Sequence, residues 1–205
     1  MLSRLSTLTA NLFTTTFDHH LKTITNSKKE NTMKLIINPM HLMLVFLCTF
    51  TAFAQIPVVS TDSAVTEQFL DASTKYMSGD YEVAIPLYSG ILERDTLLTK
   101  QFWHVLIDNL GMAYDISGDL DSAEIIFNYG LSKDSSYPLF YYNLACVYAE
   151  RNDMDSCIHF LRTAYKFKDN TLEGESFPDP ATDDSFQRFM KDESFLSALQ
   201  EMQKK

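Results

Sequence analysis

The sequence predicts an all-α solenoid, built from about three helical hairpins in a row and closed by short helices at the C-terminal end. Three observations carry this prediction. A pattern of apolar and small residues within 107–134 returns 34 residues later. Small side chains recur where paired helices would cross. The dipeptides Gly79-Asp80, Gly118-Asp119 and Asn152-Asp153 punctuate the pattern at matching places. Gly or Asn can end a helix in a left-handed conformation, and Asp can start the next by capping its free N–H groups. Such self-similarity marks stacked hairpins, none of which can bury its apolar face alone.

Residues 1–32 are rich in Ser and Thr and show no helical or strand period. They read as a disordered leader or a mis-assigned start, with translation beginning at Met33. Residues 33–54 read as a secretory signal peptide. Lys34 precedes an uncharged, mostly apolar run over 42–54, and Ala52-Phe53-Ala54 supplies the small-x-small ending that a signal peptidase accepts. That run rises only about 20 Å as a helix, short of the roughly 30 Å of a bilayer's hydrocarbon. Cleavage is expected near Ala54, against the competing reading of an uncleaved anchor, and the product is expected in the periplasm or secreted. Cys48 follows Val45-Phe46-Leu47 rather than small residues, so a lipid-anchored cysteine is not expected. Residues 55–60 form a linker.

The repeats occupy 61–169. The first hairpin, about 61–95, carries Phe69, Ala72 and Tyr76, then Ala84-x3-Tyr88 and Ile91-Leu92. The second, about 99–134, carries Ile107-x2-Leu110-Gly111-x2-Tyr114, then Ala123-x3-Phe127. The third, about 138–169, carries Tyr141-x2-Leu144-Ala145-x2-Tyr148, then Cys157-x3-Leu161 and Ala164. The three- and four-residue spacings make one apolar stripe per helix. Gly111 with Ala123, Ala145 with Cys157, and Ala72 with Ala84 are the expected crossing points, where a larger side chain would force close-packed helices apart. Gly79 and Gly118 are 39 residues apart, so an insertion or a longer second helix is expected around Thr96–Gln101. Residues 170–205 read as an extended loop followed by two capped segments, beginning Asp183-Asp184-Ser185-Phe186 and Asp192-Glu193-Ser194-Phe195.

These motifs resemble the tetratricopeptide repeat (TPR) family, whose pattern is Trp-x2-Leu-Gly-x2-Tyr, then Ala-x3-Phe, then Pro. The middle copy matches best. Ile107 and Tyr141 replace the Trp, and the final Pro is missing. The resemblance implies a right-handed α-α superhelix of TPR hairpins, with C-terminal helices covering the last repeat as a terminal cap must. It further implies a protein-binding groove lined by the first helix of each hairpin: Phe69, Ser73 and Tyr76; Asp108, Asn109, Met112 and Asp115; Leu139, Tyr142, Asn143 and Cys146. Asn109 and Asn143 stand where the family often uses Asn to hold a peptide backbone. One subclass grips a C-terminal carboxylate with Lys and Arg, but here those positions are Phe69, Ser73, Leu139 and Asn143, so that clamp is not implied. The negative groove charges would favour an apolar or basic segment.

Composition excludes other classes. With 45% hydrophobic and 21% charged residues the chain is too apolar for a disordered protein. Residues 1–54 hold five Lys/Arg against Asp18 and Glu30, leaving 12 basic and 25 acidic side chains beyond them, a net of -13. Nucleic acid is therefore not an expected partner, and neither is a membrane unless the signal segment stays uncleaved. No zinc helix, phosphate loop, dinucleotide fingerprint or nucleophile elbow is present in the sequence. No catalytic, cofactor or metal role is expected, and His104 and His159 read as ordinary helix-surface or edge residues. Cys146 and Cys157 fall on paired helices, with Cys157 in a small buried slot, and a disulfide is the lesser reading. The expected function is a non-enzymatic protein-interaction module of the cell envelope. The alternative is a structural subunit of an envelope complex that uses its convex face or cap.

Overall fold

In the structure, a computed structural model, the first helix among the described residues begins where Asp62 accepts a 2.8 Å hydrogen bond from the Ala64 N–H. Residues 62–94 and 98–204 are described, and all fall within one compact unit. The leader 1–32, the signal segment 33–54 and the linker 55–60 lie outside the described residues.

The described chain is helical. Three antiparallel pairs follow one another: α1 (Ser63–Met77) with α2 (Tyr81–Leu92), α3 (Lys100–Ser117) with α4 (Leu120–Lys133), and α5 (Pro138–Glu150) with α6 (Met154–Lys166). A loop then leads to a 3₁₀ segment, Asp184–Phe189, and to α7 (Glu193–Gln203). The first helices stack in a row, α1 on α3 and α3 on α5, while each second helix also touches the start of the next hairpin. This is a solenoid of helical hairpins.

The turn chemistry explains where helices stop. Gly79, Gly118 and Asn152 all take positive φ, at 80°, 86° and 60°, the left-handed region that glycine enters without strain. Asp119 and Asp153 then cap α4 and α6, each accepting the backbone N–H of a serine three residues on, at 3.1 Å for Ser122 and Ser156 alike. Asp80 departs from this expectation and makes no side-chain cap bond. Val83 stands where the other two helices place their serine, and the Asp80 carboxylate lies 4.0 Å from Lys75 Nζ. The extra spacing between the first two hairpins is not a longer second helix, because α2 has 12 residues. It is shared between the connection 93–99, of which 95–97 lie outside the described residues, and α3, which has 18 residues against 13 in α5.

Packing confirms the role of the small side chains. A Cβ on Gly111 would come within 2.4 Å of the Phe127 ring, so the absence of a side chain on α3 is what admits that ring from α4. Gly130 does the same for Phe140, with 2.7 Å to a built Cβ. Ala72, Ala84, Ala123, Ala145 and Cys157 are fully buried. Each large core side chain such as Phe127 contributes about 1.5–3 kcal/mol by leaving water. The helices α3 and α5 are buried almost all round, as befits elements flanked on several sides.

Candidate functional site

The positions that the resemblance assigns to a groove, namely Phe69, Ser73, Tyr76, Asp108, Asn109, Met112, Asp115, Leu139, Tyr142, Asn143 and Cys146, are all buried in the structure. Eight of them divide into two sets by what they meet.

The first set faces neighbouring helices. Phe69 meets Tyr88 of α2 and Phe102 of α3 edge-on, at 5.9 and 5.2 Å between ring centroids. Tyr76 packs on Tyr81. A polar chain runs through the same region: Asn109 Nδ2 donates to Tyr88 Oη at 2.8 Å, Tyr88 Oη donates to Ser73 Oγ at 3.0 Å, and Ser73 Oγ donates to the Phe69 carbonyl at 2.8 Å. Asn109 therefore ties α3 to α2. Its Oδ1 and the Tyr76 hydroxyl are buried without a hydrogen-bond partner among the described residues. Between the second and third hairpins, Asn143 Nδ2 donates to Asp108 Oδ1. Burial pushes the Asp108 carboxyl up to about 7, helped by the charge of Glu175 and opposed by the Asn143 bond.

The second set meets the chain's own C-terminal stretch. The loop over 171–183 leaves α6, crosses the start of α5 and turns back along it. Tyr137, just ahead of α5, donates its hydroxyl to both Glu175 oxygens at 2.9 Å. Phe177 meets Tyr142 edge-on at 5.7 Å and Tyr165 of α6 at 5.0 Å. Tyr142 donates to Asp183 Oδ2 at 3.0 Å. Beyond the loop, Ser185 lies beside the Cys146 thiol and lowers its pKa against the effect of burial, Phe186 packs on Tyr142 at 5.6 Å, and Arg188 reaches the Glu150 carboxylate at 2.7 Å. Asp183, Ser185 and Arg188 thus step along α5 in the same direction as Tyr142, Cys146 and Glu150. Burial raises the Glu175 carboxyl, against the opposing Leu172 N–H and Tyr137 O–H, and burial also raises the Tyr142 hydroxyl and the Cys146 thiol. Both Cys146 and Cys157 are free thiols.

His104 was not legible as a site residue. Far from lying on a surface, it is 1% exposed, stacked 5.6 Å from Phe140 with Tyr137 edge-on at 4.4 Å. Its Nδ1 faces the Lys100 carbonyl at 2.7 Å and its Nε2 faces Asp134 Oδ2 at 3.1 Å. A carbonyl can only accept, so Nδ1 carries hydrogen, and a proton on Nε2 would donate to Asp134. The nearest sequence signal is Lys100 one helical turn before His104, but Asp134 is 30 residues away and no local pattern joins them. His159 is exposed, as expected.

The fold and this face together define a repeat protein of stacked helical hairpins, with a polypeptide stretch seated against the third one. Residues 139–171, which comprise that third hairpin, match the tetratricopeptide repeat family. Similar solved structures include the Yersinia enterocolitica type III secretion chaperone SycD in complex with a peptide of the translocator YopD, at 17% identity and TM-score 0.49, covering 70% of this chain and 95% of that one. PcrH from Pseudomonas aeruginosa is similar at 14% identity and TM-score 0.48, covering 73% and 98%. A comparison with curated proteins finds no match.

Proposed function

We propose that the chain is a non-enzymatic protein-interaction module of the cell envelope, holding an extended segment of another protein along α5. The observation that carries this reading is the seat on α5. There an irregular stretch is held by two tyrosine hydroxyls and an aromatic contact, the kind of side-chain grip that would suit a partner segment equally. The envelope location is supported by the signal-like segment 33–54.

The binding test is selection of displayed peptides against the full chain, followed by hydrogen-exchange mapping of the winner. Protection is expected along α5 and around Tyr137. The location test is N-terminal sequencing of the protein from fractionated cells, which should begin at Gln55; an intact leader in the cytosolic fraction would remove the envelope from this reading.

A second reading has its own observation. On α4, Ile125 is 67% exposed and Tyr129 38% exposed, one helical turn apart on the outer side. A footprint confined to these two residues would favour a structural subunit that docks through its convex face.

A further inference from the structure

We infer that the loop over 171–183 is a displaceable occupant of the α5 seat, and that the partner segment it stands in for is acidic and aromatic, with a carboxylate and a phenyl ring two residues apart. This rests on the reading of α5 as a polypeptide-binding face.

The loop and the helices after it are held in different ways. From Ser185 onward the chain puts Phe186, Phe189, Phe195, Leu199 and Met202 into the core of the third hairpin. That part cannot leave without exposing a large apolar area. Between 171 and 183, by contrast, every side chain except Pro180 is half-buried or exposed. The backbone hydrogen bonds of this stretch close its own turns, from Glu175 N–H to the Leu172 carbonyl and from Thr182 N–H to the Asp179 carbonyl. Its grip on the repeats is by side chains, through Glu175, Phe177 and Asp183. Few buried contacts and self-contained turns are the marks of a segment that opens at low cost.

The seat also carries an internal opposition. Burial opposes a charged Glu175 and the Tyr137 hydroxyl favours it, while the Glu175 charge in turn helps burial raise the Asp108 carboxyl. The burial of a carboxylate costs desolvation, which weakens the hold on the loop. The occupant is nonetheless acidic and aromatic, where the sequence suggested an apolar or basic one. The reason is that the polar groups offered at the seat are the O–H donors of Tyr137 and Tyr142, which receive carboxylates without needing a cation.

The test is fluorescence anisotropy of a labelled synthetic peptide of residues 171–183 against the full chain, wild type and E175Q/F177A. Freeing the seat should tighten binding by about tenfold or more, because the wild-type loop competes from within. Adding Y142F should then weaken it several-fold. Equal affinity for both chains, or no binding to either, overturns the proposal. Native hydrogen exchange of the wild type guards against a variant that folds poorly: amides of 171–183 should exchange well before those of α6, and co-exchange with α6 overturns the displaceable loop. A selected outside peptide that binds wild type and E175Q/F177A alike would leave the interaction module standing while removing the competing loop. Tighter binding of the 171–183 peptide with no outside ligand found would do the reverse.

Discussion

Asn143 on α5 donates its side-chain amide to the carboxylate of Asp108 on α3, so this bond ties the third hairpin to the second through a group that is 4% exposed. Neighbouring hairpins in a solenoid share a core, and here the shared core includes an ionisable side chain.

That carboxyl sets a pH dependence. Its value is raised from 3.8 to about 7, so the folded state binds the proton more tightly than the unfolded chain does. The corresponding stability is fully present below the unfolded value and is lost as pH rises through about 7. The Asp108→Asn variant keeps an oxygen for Asn143 and carries no charge. It should be more stable than wild type at pH 8 by on the order of 2 kcal/mol, with little difference at pH 4. Thermal melts across that range check this, and an unchanged slope would refute it.

Asp134 works in the opposite direction. Its partial burial raises the carboxyl, but bonds from Ser136, Lys100 and His104 outweigh that and hold it at about 2. Its contribution is present above the unfolded value of 3.8 and fades as pH falls through about 2. Asp134→Asn should cost on the order of 1 kcal/mol at pH 7 and flatten the acid limb of the stability curve. A variant as stable as wild type at pH 7 would mean the His104 contact contributes nothing.

Gly111→Ala tests the close approach of α3 and α4. Alanine improves helix propensity by about 1 kcal/mol, yet its Cβ would meet the fully buried Phe127 ring at 2.4 Å. Overpacking should win, leaving a net loss of about 1–2 kcal/mol in urea unfolding. Gly90→Ala is the control, because there the nearest atom is the Gln68 side-chain nitrogen at 3.1 Å. A stabilised Gly111→Ala would show that the ring can move aside.

The thiols give a reading of the terminal packing. Burial raises Cys146 well above the ordinary thiol range, and burial with the nearby Asp153 charge pushes Cys157 up to about 12. Both should react with iodoacetamide at pH 8 at least about a hundredfold more slowly in the native protein than in urea. Site-resolved mass spectrometry follows each separately. Rapid native labelling of Cys146 would show that Ser185 and its neighbours do not stay on α5.

Residues close along the chain determined most of the fold by themselves. The helix stripes, the left-handed Gly79, Gly118 and Asn152, the Asp119 and Asp153 caps and the small contact residues depend on partners within a turn or two, or on a repeat whose period the sequence displays. The direction of the inner polar side chains was decided only by tertiary structure. Asn109 and a peptide-holding Asn look alike in sequence, and what separates them is Tyr88, 21 residues away. His104 reads locally as a surface residue for the same reason, because Asp134 at the end of α4 and Phe140 of α5 reach it from elsewhere in the chain. The occupant of the α5 seat was hidden as well, since a loop with a Gly, two Pro and four acidic residues reads locally as solvated chain. Its place depends on Tyr137 and Tyr142, 38 and 41 residues before their partners. A period within one helix is a property of neighbours in sequence, whereas a buried hydrogen bond between helices exists only after the backbone has brought distant residues together.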